Sequence, residues 1–323
     1  MKAVQIKSYG DPLAVLEIAD IPEPGLPGPN EALLGIEIAP LNKHDLLFVN
    51  NALGAGPALP AVVGNEGFGR VLAVGGEVKN VTVGDRVLAP LFSGTWREKM
   101  IVPASGLFPL PNGDPQQFSM LGSNPPTAAL ILSEYIQLKK GDWVIQNAAN
   151  SGVGRSLIAI ARARGLRTIN FVRRGELVNE LKAAGGDVVL VDQPGAVEEA
   201  VRFVGNGSVR LGVDGTGGQS SSTLAQALSP GGLLVAYAAI SGAPLAINTK
   251  QLIFKQLKVQ GMFLGHFDYE KKVTPAQREA ASLVASGALY VPVAEAYPIA
   301  RIKEAVAHLL RGGKILLEVQ KLN

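Results

Sequence analysis

Short apolar runs broken by Pro and Gly fill roughly the first 120 residues, a pattern of β-strands bounded by turns. Ala32-Leu33-Leu34-Gly35-Ile36-Glu37-Ile38 and Gly69-Arg70-Val71-Leu72-Ala73-Val74 are two such runs. Val83-Gly84-Asp85-Arg86-Val87-Leu88-Ala89 reads as a turn entering a strand. No long stretch in this region carries helical periodicity, so an irregular β-barrel is expected.

The texture changes near Pro125, where helical runs begin to alternate with short β-branched ones. The runs at 143–146, 168–172, 188–191, 211–214 and 233–237 predict strands. Those at 153–164, 177–184, 197–203 and 221–228 predict helices. Such alternation implies an α/β fold, a doubly wound parallel sheet with right-handed crossovers. After about Gly265 the pattern loosens. Residues 275–286 and 300–310 look helical, and 314–319 look like a strand. The expected division is a β-rich domain over 1–122, a doubly wound domain over 123–267, and a tail over 268–323 that rejoins the first.

Composition narrows the partners. The 323 residues are 47% hydrophobic and 18% charged, as in a packed globular enzyme. The net charge of +3 is scattered, with no basic stripe interleaved with aromatics, which argues against nucleic acid. The most apolar stretch, Gly231 to Ile247, is broken by Gly, Ser and Pro and reads as a buried strand plus turns rather than a membrane span. The first residues lack a signal-type apolar core. Cysteine is absent, which excludes disulfides, thiolate nucleophiles and cysteine-bearing metal sites. These features fit a cytoplasmic protein. His44, His266 and His308 are far apart and lack ligand spacing, so no metal site is expected.

The densest chemical signal is Val144-Ile145-Gln146-Asn147-Ala148-Ala149-Asn150-Ser151-Gly152-Val153-Gly154, a strand, a tight turn and a helix start. Such a turn sets backbone N–H groups and a helix dipole against a pyrophosphate. In G-x-G-x-x-G register the three positions are Ala149, Ser151 and Gly154, so only the last is glycine. The alternative is a tight turn without cofactor. The next strand ends in Arg173-Arg174, where an NAD site usually carries a carboxylate for the ribose 2′-hydroxyl. Two guanidiniums suit a 2′-phosphate instead. A charge-assisted hydrogen bond of this kind contributes about 1.5–3 kcal/mol, roughly ten- to a hundredfold in affinity. NADPH is therefore expected over NADH, with Glu176 as a mild counterweight and a solvated basic turn as the alternative.

These segments resemble the medium-chain dehydrogenase/reductases along nearly the whole chain, and most of all the mitochondrial-type 2-enoyl thioester reductases. The resembling runs are residues 60–67, 94–97, 124–128, 146–154, 166–170 and 252–255. The resemblance implies a GroES-like catalytic domain and a Rossmann domain. It implies cofactor contacts at Asn124, Thr127, Asn150, Ser151, Gly152, Val153 and Gly154, with Arg173 and Arg174 on the 2′-phosphate. Tyr237, Ala238, Ala239 and Ile240 would pass under the nicotinamide side, followed by Met262, Phe263 and Leu264, and Lys314 would come from the tail. For the apolar members, plain core packing is the competing expectation. It also implies a homodimer. Zinc-dependent relatives carry His before the Glu of a Gly-His-Glu motif, where this chain has Asn65.

One departure bears on the chemistry. The thioester reductases carry a catalytic Tyr where ungapped counting places Leu53, and Leu donates no proton. For an enoyl thioester, hydride attacks Cβ, charge collects on the thioester oxygen, and Cα then takes a proton. Asn42 is expected to position the nicotinamide ribose or the substrate, and His44 is one candidate acid beside Asp45, Asn50, Asn51 and water. A quinone needs no such donor, because its product oxygens take protons from solvent. The expectation is thus a zinc-independent NADPH-dependent reductase of an activated C=C bond (a 2-enoyl thioester or enone). An NADPH:quinone oxidoreductase is the first alternative, and a catalytically inactive NADPH-binding regulatory protein the second.

Overall fold

The computed structural model describes residues 1–320 apart from 53 and 55. The chain forms two compact units, Met1–Ser123 with Val291–Asn323, and Asn124–Tyr290. The first leg of unit one carries β1 (Lys2–Ile6), β2 (Glu17–Asp20), β3 (Glu31–Leu41), β4 (Ala61–Val62), β5 (Phe68–Val74), β6 (Arg86–Leu88) and β7 (Lys99–Pro103). Unit two carries β8 (Trp143–Gln146), β9 (Arg167–Val172), β10 (Val188–Val191), β11 (Val209–Asp214), β12 (Leu233–Ala236) and β13 (Lys258–Gly261). The returning tail adds β14 (Glu295–Pro298) and β15 (Ile315–Glu318).

In unit one the sheet order is β14-β15-β3-β5-β6, with β7 also on β3, and a second sheet runs β2-β1-β4. The long β3 is the hub. From Leu34 to Leu41 it is buried without a break, which alternation alone does not give; register shifts between Leu33/Leu34 and Ile36/Ile38 turn the strand as it changes partners. The core gathers Ile36, Val71, Trp96, Val306 and Leu317, so the C-terminal strand and helix Ile302–Arg311 complete it. The short helix Lys43–Val49, which hydrophobic period alone does not mark, starts at a capping box. Asn42 and Asp45 satisfy each other's backbone N–H groups there.

Unit two is the doubly wound sheet. All neighbours pair in parallel in the order β10-β9-β8-β11-β12-β13. The two halves therefore diverge between β8 and β11, the switch point where such sheets take ligands at the carboxyl ends of their strands. Strand β8 is buried along its whole length, as a near-continuous apolar run requires. Helices Gly152–Ala163, Leu177–Ala183, Ala196–Val204 and Gln219–Ala227 lie within a residue or two of the expected spans. Strand β13 has no counterpart among the expected strands, since all four of its residues are exposed at the sheet edge and carry no buried pattern.

The expected return to the first unit at 268 is corrected to Val291. Helix Thr274–Ala285 stays with unit two, on helices Asn124–Glu134 and Gly152–Ala163. The Arg164–Glu279 ion pair at 2.6 Å fastens it there. Among the described residues no helix is long and apolar enough to cross a membrane.

Candidate active site

The turn after β8 is built by close approach. A Cβ on Gly154 would lie 2.5 Å from the Ala149 carbonyl oxygen, so no other residue fits without moving backbone. A Cβ on Gly152 would lie 2.6 Å from Asn124 Nδ2, which brings Asn124 onto the helix start. Ser151 caps helix Gly152–Ala163, its hydroxyl accepting from the Gly154 N–H at 3.1 Å. Gln146 Nε2 donates to the Gly154 carbonyl at 3.0 Å and to Asn170 Oδ1 at 2.7 Å. Arg155, buried in the helix and paired with Glu180, donates from Nε to the Asn150 carbonyl at 3.2 Å. Gln146 and Arg155 escape pattern reasoning because they brace the turn from behind.

The end of β11 carries a second scaffold. Asp214 Oδ1 accepts from the Thr216 and Gly217 N–H groups at 2.9 Å and from Asn147 Nδ2 at 2.7 Å. Asn147 Oδ1 accepts from the Gly215 N–H at 2.8 Å. Tyr237 bonds to Ser151, and burial pushes its phenol up to about 12 despite that bond, with Asp214 nearby adding to the rise. Ile240 N–H reaches the Gly215 carbonyl at 3.2 Å, which ties the 237–240 loop to the same switch point.

The sequence-identified residues thus fall into groups. Asn124, Ser151, Gly152, Gly154 and Tyr237 meet at the turn, with Asn150 exposed on it and Val153 and Thr127 buried beside it. Arg173 and Arg174 stand exposed just past β9, and Arg174 pairs with Glu176 at 3.3 Å. Ala238, Ala239 and Ile240 are exposed. Met262 and Leu264 are buried after β13, and Phe263 between them is exposed, edge-on to His266. Lys314 belongs to the first unit and to a different network.

That network centres on Glu66, which is fully buried. Asn42 Nδ2 donates to Glu66 Oε1, Lys314 Nζ lies 3.7 Å from the same oxygen, and the Ser123 N–H donates to Oε2 at 2.8 Å. Lys314 Nζ also donates to Asn42 Oδ1 at 2.7 Å. Burial pulls the Lys314 ammonium down, opposed by Glu66 and Asp45. Asp45 accepts from the Asn42 N–H at 2.6 Å and the Asn65 N–H at 3.1 Å. Burial nevertheless raises its carboxyl to about 7, against those bonds and Lys314. Desolvation lowers His44 to about 4, with Glu66 opposing and Lys314 assisting. His44 is therefore a neutral imidazole near pH 7, which weighs against it as the proton donor. Leu53 lies outside the described residues. His308 bonds to the Tyr297 hydroxyl at 3.0 Å, and among the described residues no group of three His, Cys, Asp or Glu could hold a metal.

Beside Asp45 lies a cavity of about 200 Å³, walled by Phe48, Phe92, Pro57 and Val62, with Asn65 also in its lining. Phe48 and Phe92 meet with ring centroids 5.6 Å apart. Sequence reasoning does not find this cavity, because its walls come from three separated segments.

Comparison with known proteins agrees with this architecture. Residues 28–112 match the family model of the alcohol dehydrogenase GroES-like domain, and residues 152–281 that of the zinc-binding dehydrogenases. The mitochondrial enoyl-[acyl-carrier-protein] reductase of Caenorhabditis elegans is 36% identical over 278 residues, 84% of this chain and 79% of that protein. The Rattus norvegicus enzyme of the same name is 34% identical over 318 residues, 95% of this chain and 84% of that protein. Among solved structures, the mitochondrial 2-enoyl thioester reductase Etr1p/Etr2p heterodimer of Candida tropicalis aligns with TM-score 0.86 at 25% identity, over 98% of this chain and 99% of that one. An Etr1p/NADP/crotonyl-CoA complex gives 0.86 at 26% identity over the same shares. The quinone oxidoreductase of Pseudomonas syringae pv. tomato DC3000 gives 0.84 at 27%, again over 98% and 99%. The relatives' mitochondrial names overturn the cytoplasmic expectation; absence of cysteine does not distinguish two compartments that both keep thiols reduced.

The two shifted groups make a pH prediction. Folded Asp45 holds its proton to about 7 against an ordinary value of 3.8, so its stabilising contribution is full below pH 3.8 and is lost as pH rises to 7. Folded His44 titrates at about 4 against 6.5, so its contribution is full above 6.5 and is lost as pH falls to 4. Between those limits the two slopes cancel. His44→Gln should make stability fall with rising pH in this window, by about 1.4 kcal/mol per pH unit, and Asp45→Asn should make it rise. Urea denaturation at several pH values checks this; parallel profiles for both variants and the parent would contradict it.

Proposed function

We propose, for a chain that belongs to the medium-chain dehydrogenase/reductase superfamily alongside the enoyl-[acyl-carrier-protein] reductases, that it is a zinc-independent, NADPH-dependent reductase of an activated C=C bond, a 2-enoyl thioester or enone. The observation that carries the reading is the small-residue turn opening helix Gly152–Ala163 at the sheet's switch point, with Arg173 and Arg174 just past the neighbouring strand. Gly154 lets the helix start pack directly on the Ala149 carbonyl, and the helix N-terminus favours a phosphate's charge. The Etr1p structure in complex with NADP supports the same cofactor here.

NADPH, when bound, supplies the hydride. The protein's part is to hold it, orient the acceptor and manage a proton. Asn42, fixed between Glu66 and Lys314, is the rigid polar group suited to position ribose or acceptor. Glu66 is committed to Asn42, Lys314 and the Ser123 N–H, and the chain contains no cysteine, which supports a zinc-independent mechanism. Quinone reduction stands as the second reading, favoured by Leu53 in place of the proton-donating Tyr and by the quinone oxidoreductase neighbour.

A homodimer through the edge of the second unit's sheet fits the exposed strand β13 and the adjoining Ile253 and Phe254, 60% and 81% exposed. Sedimentation of the purified chain should give a mass near twice 33.7 kDa, and Phe254→Glu should lower it. A parent that sediments as a monomer would remove this part of the reading.

The decisive assay compares cofactors and acceptors. NADPH oxidation is expected with crotonyl-CoA or a benzoquinone, and NADH should serve poorly. Replacing Arg173 and Arg174 together by Ala should weaken NADPH about ten- to a hundredfold while leaving NADH nearly unchanged. Equal losses for both cofactors would contradict the assignment of the two guanidiniums. Tight NADPH binding without turnover of any acceptor would favour the regulatory alternative.

A further inference from the structure

The geometry points to the Asn65 side-chain amide as the donor that seats the acceptor's conjugated carbonyl oxygen in the aromatic cavity of the first unit. This inference rests on the reductase reading and gives its acceptor a place and an orientation.

The cavity's lining divides into apolar wall, committed polar groups and one exception. Phe48, Phe92, Pro57 and Val62 offer apolar wall, so a ligand's ring or alkene would lie against them. Asp45 borders the space, and both of its oxygens already receive backbone N–H groups. Two backbone donors of the lining are spent. Phe92 N–H bonds to the Asn65 carbonyl at 2.9 Å, and Gly94 N–H to the Gly64 carbonyl at 3.0 Å. Asn65 is different. It is only 6% exposed, and its Nδ2 has no hydrogen-bond partner among the described residues.

A buried donor without a partner is costly, so native chains leave few of them. Asn65 is held in place through its main chain, the N–H on Asp45 and the carbonyl on Phe92. Its terminal torsion is soft, so the amide can turn its N–H groups onto an oxygen in the cavity. The volume of about 200 Å³ is several times the ~30 Å³ that one water takes in the liquid, enough for a six-membered ring with a carbonyl or for an enoyl head. A hydrogen bond to that carbonyl strengthens as charge gathers on oxygen during hydride addition to the conjugated carbon. An amide donor also serves a quinone oxygen and a thioester oxygen alike, so the site selects conjugated carbonyls as a class.

The test uses Asn65→Leu, of similar bulk without a donor, and Asn65→Ser, which keeps one. Leu should melt no lower than the parent, since it removes an unpaired buried group. Its kcat/KM for 1,4-benzoquinone and crotonyl-CoA should fall roughly tenfold or more, with kcat lowered as well as KM raised, and the NADPH Kd unchanged. Ser should recover part of the loss. A crystal of the parent soaked in cyclohexanone, which has no alkene to reduce, should show the ring against Phe48 and Phe92 with its oxygen on Asn65 Nδ2. Unchanged kcat/KM in the Leu variant, or a ketone oxygen bound elsewhere, would overturn the inference. Should the soaked ketone sit on Asn65 while the parent reduces no acceptor, the reductase reading falls and the site stands. Should the parent reduce acceptors at a rate indifferent to Asn65, the site falls and the reductase reading stands.

Discussion

The contact between Gly154 and the Ala149 carbonyl, which leaves no space for a side chain, governs the second unit. It lets helix Gly152–Ala163 begin a few residues after the end of β8, at the switch point of the sheet. Everything around the turn serves that approach. Ser151 caps the helix, Gln146 holds the Gly154 carbonyl, and Arg155 holds that of Asn150. The Asp214–Asn147 scaffold fixes the facing strand end with main-chain bonds. A dinucleotide site made this way relies on fixed dipoles, which need no rearrangement when an anion arrives.

The first unit solves a different problem. A carboxylate with no solvent exposure is expensive, and Glu66 offsets the cost with a lysine, an amide and a backbone N–H. Lys314 reaches it from the returning tail, so the network closes only when the C-terminal strand β15 is in place beside β3. The same arrangement spreads a gradient of polarity over neighbouring groups. Asp45 is pushed toward neutrality and His44 is stripped of its charge. Among the cavity's polar groups, the Asn65 amide nitrogen has no hydrogen-bond partner among the described residues.

Much of unit two is legible in the sequence because its strands and helices obey clean periods and its turn must be small. The β-rich first unit is legible in kind but not in detail. Strand β3 changes partners midway through register shifts, and the capping box that starts helix Lys43–Val49 depends on two polar residues rather than on a hydrophobic period. The boundary at Val291 escapes sequence reasoning because helix Thr274–Ala285 is held to unit two by Arg164 and Glu279, a pair separated by over a hundred positions. Lys314 stands out in the sequence, but its neighbours do not. Sequence order cannot reveal that its partners are Asn42 and Glu66. Asn65 marks in the sequence only the place of a lost metal ligand, and its unsatisfied nitrogen becomes visible with the cavity.

The most direct test of the account is calorimetric titration of Gly154→Ala with NADPH. The added methyl should push Ala149 and the helix start apart, weakening NADPH by about tenfold or more while the far-UV circular dichroism stays that of the parent. An alanine variant that binds NADPH as tightly as the parent would contradict the claim that this close approach makes the cofactor site.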